Sequence, residues 1–405
     1  MLTVPDHGQV RFGNASNDDA RVLVTGDLCP VADVEESFLA SKGVAVYGDL
    51  LPELLDKDLA ITNLELALTR GGAPIDKCGP NLRAAPEIFP EMAKAEFDVY
   101  GVANNHSLDW GGDSFLETLM HIEKAGCHHV GGGRTATDAA KPLRMRVKGH
   151  DIAIFALTMS CDCDAGTSTP GANALNLPYN ALDVYRTKQE GATVIVIFHD
   201  GKEHVSFPSS RIVNYCHAFV DAGASAVIGH HPHISRGLEH YKEGVIAYSL
   251  GNFLFPKRRE TTSELPDFWY EGYALRLHLG EGKLTGIDVI PHCYSEDDRC
   301  LSRMPSDRRK GFLKRLNRLN DILANPGQNE RYFSAAASTF SYYYPTIERY
   351  CNAMSADQQN AEALTTGGKM LNHYLTCNEH CDVLEAESYR QWKRLTDIPD
   401  DMGGL

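Results

Sequence analysis

Short apolar runs alternate along the chain with stretches in which apolar residues recur every three or four positions, from about residue 21 to residue 295. The first pattern predicts buried strands and the second predicts amphipathic helices. The predicted strands are residues 21–25, 59–65, 99–103, 143–147, 152–157, 194–198, 226–228, 245–249, 273–279 and 284–291. Alternation of the two kinds of element predicts an α/β fold.

Helices are predicted between several of these strands, at residues 49–55, 86–95, 113–125 and 209–222. Residues 159–177 are rich in glycine, serine, threonine and aspartate, which is typical of a long loop. Beyond about residue 302 the pattern becomes helical and mixed in charge. We therefore expect a lead segment (1–20), an α/β domain (21–300) and a helical C-terminal appendage (301–405).

The charge balance argues against nucleic acid as a partner, because 54 acidic and 39 basic residues give a formal net charge of -15. No signal peptide is visible at the start, and the longest apolar runs are strand-sized, so we expect no integral membrane segment and a cytoplasmic location. The 11 cysteines follow no framework spacing, which favours free thiols.

Two features of the appendage leave alternatives open. His373, Cys377, His380 and Cys381 follow a helical spacing, which fits either a second metal site or ordinary packing. An aromatic run at residues 342–344 fits a lid, a dimer contact or packing onto the α/β domain.

Five short polar motifs fall at or just after the ends of predicted strands. They are Gly26-Asp27, Asn63-Leu64-Glu65, Ala103-Asn104-Asn105-His106-Ser107-Leu108-Asp109, His199-Asp200-Gly201-Lys202-Glu203 and Gly229-His230-His231-Pro232-His233. Because the carboxyl ends of strands in an α/β sheet gather ligands, residues far apart in sequence are expected to converge there. Aspartate, glutamate, asparagine and histidine supply the oxygen and nitrogen donors that suit Zn²⁺, Mn²⁺ or Fe²⁺. A carboxylate bridging two such ions makes a two-metal clamp.

Together with Ser249-Leu250-Gly251-Asn252-Phe253, four of these motifs, all except the one that begins at His199, resemble the signature of the CapA/PgsA-type poly-γ-glutamate capsule synthesis proteins. That family is a branch of the calcineurin-like metallophosphoesterases, and the resemblance covers about residues 21–255. It implies a four-layer α/β/β/α sandwich that binds one or two divalent ions (Mn, Zn or Fe) at one edge.

The resemblance also implies residue roles. The implied metal ligands are Asp27, Glu65, Asn105, His199, His231 and His233, with Glu65 in the bridging position. His106 is the implied acid/base group, and Asp109 and Asn252 would support the metals or face the substrate. Two departures bear on these roles. Leu28-Cys29 stands where the superfamily has a histidine ligand, so we expect one metal position to lose a ligand and bind weakly. Asp200 replaces the usual tryptophan after His199, so we expect the substrate pocket to differ from that of the family.

Several functions fit this pattern. The first is a metal-dependent enzyme of capsule or γ-glutamyl polymer biosynthesis with metal-assisted acid/base chemistry. The alternatives are a peptide-modifying enzyme (a Cα-epimerase or a hydrolase), a phosphoesterase on a small substrate, and a non-catalytic binding protein with a degenerate site. The expected partner is a small molecule, a peptide or a polymer. We expect the loops at residues 69–83 and 159–177 to shape its pocket, and the sequence decides neither the substrate nor the oligomeric state.

Overall fold

The computed structural model describes residues 2–13, 16, 18–262, 264–280, 282–356, 361–393, 395 and 397–405. Its strands are β1 (Gln9–Arg11), β2 (Ala20–Leu28), β3 (Leu59–Leu64), β4 (Ala67–Leu68), β5 (Arg83–Ala84), β6 (Val99–Gly101), β7 (His128–Val130), β8 (Gly132–Gly133), β9 (Leu143–Val147), β10 (His150–Thr158), β11 (Gly171–Ala172), β12 (Thr193–His199), β13 (Ala224–His230), β14 (Leu238–Tyr241), β15 (Gly244–Ala247), β16 (Asn252–Leu254), β17 (Glu271–Gly280), β18 (Lys283–Ser295) and β19 (Cys300–Arg303).

Helices fill both outer faces and most of the C-terminal part. They are α1 (Ala32–Leu39), α2 (Gly43–Tyr47), α3 (Leu51–Leu55), α4 (Phe89–Met92), α5 (Gly112–Lys124), α6 (Ala136–Ala139), α7 (Leu177–Gln189), α8 (Ser210–Asp221), α9 (Ser306–Leu323), α10 (Pro326–Ala337), α11 (Tyr343–Ala356), α12 (Ala361–Thr376) and α13 (Asn378–Lys393). Several 3₁₀ turns adjoin them, including Pro86–Ile88 and Ala93–Ala95 on either side of α4.

Two large sheets form the centre of the fold. The first has the order β1-β18-β17-β2-β3-β6-β7, with β16 beside β2 and β19 beside β18. Strands β2, β3, β6, β7 and β16 of this sheet run parallel to one another. Strand β17 pairs antiparallel with both β2 and β18. The second has the order β14-β15-β13-β12-β10-β9, with a parallel core from β15 to β10.

The side-chain alternation of single strands shows how the layers stack, because neighbouring residues of a strand point to opposite faces. In β6, Tyr100 packs on Phe89 of α4 with ring centroids 5.4 Å apart, while Gly101 faces Ile197 of the second sheet. The residue after Ile197 in β12, Phe198, packs on the opposite face against Phe219 of α8 at 6.3 Å. The order helix, sheet, sheet, helix confirms the predicted four-layer sandwich.

The appendage is helical, as predicted, and it packs on the sandwich through its own apolar cluster. Leu319, Ile322, Tyr332 and Phe333 of α9 and α10 surround Phe207 in this cluster. Tyr343 is buried there too, whereas Tyr342 is exposed, so packing accounts for the centre of the aromatic run.

The expectations on membrane-spanning segments and on cysteines can be compared with the structure. In the part of the chain that the structure describes, no helix combines the length and the apolar character that crossing a bilayer requires. The cysteines in the described segments form no disulfide with one another.

Candidate metal centre

The six predicted metal ligands meet at the carboxyl edge that the two sheets share. Asp27 lies near the end of β2, Glu65 directly follows β3, and Asn105 lies in the turn after β6. From the second sheet, His199 is the last residue of β12, and the histidines of the fifth motif follow β13. All are buried except Asn105, which is half-buried. We call this group the strand-end centre.

Glu65 lies in the middle of the strand-end centre. Its carboxylate is fully buried, and neither oxygen has a hydrogen-bond partner among the described residues. Oε1 lies 3.5 Å from Nε2 of His199 and 3.7 Å from Nε2 of His233. Burial, with the charge of Asp27 second, raises the pKa of Glu65 well above its usual range. A buried carboxylate without partners is costly, and a cation removes that cost.

The donors around Glu65 form two groups that share its carboxylate. Asp27, Glu65 and His199 have ligand atoms within 4.8 Å of one another, and so have Glu65, His231 and His233. One carboxylate common to two donor sets is the arrangement that a bridging ligand between two ions requires.

Asp27 is held in place by the sheet edge around it. Its Oδ1 accepts a hydrogen bond from Nδ2 of Asn63 at 2.8 Å and lies 3.0 Å from Nδ1 of His230. Its Oδ2 accepts from the backbone N–H of His231 at 3.1 Å. Burial raises the pKa of Asp27, but the hydrogen bond with His230 and nearby imidazoles outweigh burial and lower it. Asp27 therefore stays ionised.

His199 and Asn105 face each other across the edge, with Nε2 of His199 2.9 Å from Oδ1 of Asn105. Burial lowers the pKa of His199 well below its usual value, so the ring is neutral and able to bind a cation. Nδ1 of His199 lies 3.2 Å from Nδ2 of Asn63, which leaves Nε2 as the nitrogen that faces Asn105 and Glu65.

The fifth motif leaves β13 in a strained conformation that turns its rings inward. His231 and His233 have φ angles of 91° and 60°, a region that residues other than glycine rarely adopt. Nδ1 of His233 lies 3.0 Å from Oδ1 of Asn252. When that nitrogen donates to the amide oxygen, Nε2 of His233 presents its lone pair toward Glu65. Asn252 thus lies behind a predicted ligand.

His106 lies beside the centre with Asp109 behind it. Nδ1 of His106 is 2.7 Å from Oδ2 of Asp109, which is fully buried. Lys77 forms an ion pair with Asp109 and donates to the backbone oxygen of Asn105 at 2.9 Å. Burial, and then the charge of Lys77, lowers the pKa of His106 to about 4, so the ring is neutral near pH 7.

The two departures from the family pattern have structural outcomes. Cys29 is buried, and it belongs to none of the close donor groups found in the described part of the chain. Asp200 is buried away from the cavity and forms an ion pair with Arg211, with Oδ2 and Nη1 2.7 Å apart. We expected Asp200 to alter the substrate pocket, and it instead fixes the start of α8.

Sequence reasoning missed several residues of the site. Asn63 and His230 belong to the motifs, but only the structure shows that they hold Asp27. Lys77 comes from a predicted loop, and Glu379 comes from α13. Oε2 of Glu379 lies 3.3 Å from Nε2 of His231, and Oε1 lies 3.2 Å from Nζ of Lys202. Nothing in the local sequence around Lys77 or Glu379 signals these positions.

A cavity of about 430 Å³ opens beside the strand-end centre. Residues 76–80 and 159–162, from the two loops expected to shape the pocket, line it together with His106 and His231. Asn105, Lys202 and Glu203 also line it, and the rest of the wall comes from the segment of the appendage that contains α12 and α13. The appendage therefore forms one wall of the cavity beside the strand-end centre.

The donor set fits divalent cations. Glu65 has two buried oxygens without partners, and Nδ1 of His231 and Nε2 of His230 are also buried without partners among the described groups. Neutral imidazole, carboxylate and amide donors match the preference of Zn²⁺, Mn²⁺ and Fe²⁺. The residues present thus suit the ions that the family resemblance implies.

Comparison with known proteins gives three findings. The model of the bacterial capsule synthesis protein family PGA_cap matches residues 21–257. The capsule biosynthesis protein CapA of Bacillus anthracis is 27% identical over 284 residues, which are 68% of this chain and 67% of that protein. The PGA biosynthesis protein CapA of Bacillus subtilis (strain 168) is 32% identical over 241 residues, 59% of this chain and 62% of its own length.

Among solved structures, a 5'-nucleotidase precursor from Thermus thermophilus aligns with 14% identity and a TM-score of 0.42. The alignment covers 74% of this chain and 58% of the nucleotidase. A likeness this distant adds nothing to the fold described above.

Proposed function

The chain belongs to the PGA_cap family of bacterial capsule synthesis proteins, and from that premise we propose that it is a metal-dependent enzyme acting on γ-glutamyl polymers or peptides. The observation that carries the proposal is Glu65, a fully buried carboxylate without hydrogen-bond partners that is shared by the two donor groups described above. A non-catalytic scaffold has no need for such a costly group at its centre.

The residues that would hold the ions come from both sheets and form two positions. Asp27, His199 and Asn105 would serve one position, His231 and His233 the other, and Glu65 both. Bound divalent ions would polarise a substrate oxygen and lower the pKa of a bound water. The strained backbone of His231 and His233 and the bonds around Asp27 orient the donors beforehand.

His106 is the proposed acid/base group. The Asp109 carboxylate accepts from Nδ1, which fixes the tautomer with a lone pair on Nε2. Because burial and the charge of Lys77 lower the pKa of His106 to about 4, the ring is neutral near pH 7, which is the protonation state that a general base requires. Lys77 also holds the turn that carries Asn105 and His106, since its ammonium binds both Asp109 and the Asn105 backbone.

The size of the cavity limits which substrates can reach the strand-end centre. A volume of about 430 Å³ accepts a small ligand or a short piece of a longer chain. The named relatives are capsule and PGA biosynthesis proteins, so we propose the end or a short segment of a γ-glutamyl chain as the substrate. The aligned part of this chain spans about two thirds of each relative, and the substrate is therefore part of the proposal.

The test uses the purified full chain, stripped with a chelator and reloaded with Mn²⁺ or Zn²⁺. Synthetic γ-glutamyl oligomers are incubated with it in D₂O or in H₂¹⁸O and analysed by mass spectrometry. Cleavage introduces ¹⁸O at the new carboxylate, and epimerisation introduces deuterium at Cα. We expect one of these labels to appear only with metal. A chromogenic phosphodiester is assayed in parallel.

Metal-dependent labelling of the oligomer supports the proposal. Hydrolysis of the phosphodiester with no label in the oligomer would replace it with a phosphoesterase function. Failure of both, with stoichiometric metal bound, would leave a metal-binding protein without the proposed activity.

A further inference from the structure

A second cluster of donors lies in the appendage, outside the strand-end centre. Helices α12 and α13 are joined by the single residue Cys377, with His373 in the last turn of α12 and His380 in the first turn of α13. One side-chain donor atom from each of the three lies within 4.8 Å of the other two. The backbone fixes this spacing, since Cys377 N–H donates to the oxygen of His373 and His380 N–H to the oxygen of Cys377, both at 3.1 Å.

The two imidazoles face each other through their nitrogens. Nε2 of His373 and Nε2 of His380 are 2.9 Å apart, a separation that requires either a shared proton or a cation between lone pairs. Nδ1 of His380 lies 2.9 Å from the hydroxyl of Tyr343. When Nδ1 donates to that hydroxyl, the lone pair of His380 is directed at His373 and Cys377.

Packing alone does not explain this arrangement. The ring of His380 does contact Tyr343 and Tyr374, with centroids 5.2 and 5.4 Å away. Such contacts would equally fit an orientation with the ring nitrogens apart. Burial lowers the pKa of His380 to about 4 and lowers that of His373, so both rings are neutral, as metal ligands must be.

We propose that His373, Cys377 and His380 bind one divalent cation of the zinc type, at a site separate from the strand-end centre. One thiolate and two imidazoles are the donors that Zn²⁺ takes in protein sites, and three protein ligands leave a fourth position open. On binding, the cation replaces the thiol proton of Cys377, which is released to solvent.

Glu379 lies between this site and the strand-end centre. Its Oε1 lies 3.2 Å from Nε2 of His380, while its Oε2 lies 3.3 Å from Nε2 of His231 in the strand-end centre. The ammonium of Lys202 pairs with the same carboxylate, and the two charges balance. A cation on α12 and α13 thus ties the two helices together and holds Glu379 over the catalytic cavity, which the three ligands line.

The test is cobalt substitution of the full chain, because thiolate bound to Co²⁺ gives a near-ultraviolet charge-transfer band that oxygen and nitrogen ligands do not. We expect one equivalent of Co²⁺ to bind with this band. The band should disappear in the Cys377→Ser variant. In the His373→Gln variant, the affinity for the Co²⁺ ion that gives this band should fall at least tenfold. Cys381→Ser is the matched control, since Cys381 lies one turn away, outside the donor group, and should keep the band.

Another donor group with cysteines, Cys161, Cys163 and Asp164, requires its own control. The double variant Cys161→Ser/Cys163→Ser should retain the band. A band that persists in Cys377→Ser, or is lost in the double variant, would overturn the proposal. X-ray absorption at the zinc edge of the zinc-loaded wild-type chain needs no variant, and a spectrum with no zinc–sulfur contribution at all would overturn it too, because the strand-end centre offers no sulfur ligand. Neither result depends on the activity proposed for the strand-end centre.

Discussion

The carboxylate of Glu379 lies 3.3 Å from Nε2 of His231, and this contact joins the C-terminal helices to the strand-end centre. Burial lowers the pKa of His231, but the hydrogen bond and charge of Glu379 outweigh burial and raise it. The appendage therefore sets the electrostatics of a proposed metal ligand, although the two residues are 148 positions apart in the sequence.

Glu379→Gln removes the negative charge and keeps the shape of the side chain. We expect the strand-end centre to bind its weaker ion about 10–100-fold less tightly, because groups that orient and charge-balance a ligand contribute that much to metal affinity. Competition with a chromophoric chelator measures the change. Glu385→Gln, at an exposed position of the same helix, is the control. Equal affinity in both variants would show that Glu379 does not act on this centre.

His106→Ala removes the proposed acid/base group and leaves the metal donors in place. Turnover of the γ-glutamyl oligomer should fall about 10²–10⁴-fold, the usual contribution of a positioned acid/base, with metal content unchanged. His231→Ala should instead lose metal. His128→Ala, at an exposed histidine, should change neither quantity. Full activity of the His106→Ala variant would remove this residue from the mechanism.

Gly26→Ala tests how closely the backbone is packed beside Asp27. A Cβ at this position would lie 1.9 Å from the backbone oxygen of Gly251, so β2 or the segment before β16 must move. We expect a loss of about 3 kcal/mol or more in the free energy of unfolding, measured by urea denaturation. Gly311→Ala, in an exposed turn of α9 where a Cβ meets nothing within 4 Å, should stabilise the chain by about 0.5–1 kcal/mol. An unchanged stability in Gly26→Ala would contradict this packing.

Asp288→Asn tests a charge cluster on the first sheet. Oδ2 of Asp288 is 2.9 Å from Nε2 of His278, and Oδ1 is 2.8 Å from Nη1 of Arg11. Burial raises the pKa of Asp288, but these partners outweigh burial and lower it to about 2. A carboxyl group with a lowered pKa contributes stability above its unfolded pKa of about 4, and that contribution disappears as the pH falls toward 2.

The variant should therefore be less stable than wild type by about 1–2 kcal/mol at pH 7, a figure reduced for solvent screening of the cluster. Urea unfolding at pH 7, 5, 4 and 3 should show a difference that is constant at the higher values and narrows below pH 4. Asp297→Asn, at an exposed aspartate, should show little difference at any pH. A stability difference between variant and wild type that grows as the pH falls would contradict the lowered pKa of Asp288.

Elements with several buried positions were predictable from the sequence, and elements with few were not. The runs at residues 59–65 and 194–198 became β3 and β12, because every position in each strand is buried. Helix α7 was missed since only Asn180, Val184 and Thr187 are buried along its 13 residues, so its apolar pattern is weak. Helix α1 buries only Val34 and Phe38 and was missed for the same reason.

The residues of the candidate site also differ in whether the sequence could predict them. Residues in motifs at strand ends were predictable as a group, because parallel strands bring their carboxyl ends to one edge whatever their separation in sequence. Lys77 and Glu379 were not, since a loop and an appended helix reach the site through packing that no local pattern describes. The cluster of His373, Cys377 and His380 lies between these cases. Its spacing was visible, but only the structure shows the 2.9 Å approach of its two nitrogens on which the proposal of a metal site is based.

The most direct test of the central claim is anomalous diffraction from crystals of the chain grown with Mn²⁺. Two peaks should flank the Glu65 carboxylate within metal–oxygen bonding distance of its oxygens, one also bound by His199 and one by His233. Electron density with no peak bonded to Glu65 at saturating Mn²⁺ would contradict the claim that this buried carboxylate exists to bind metal.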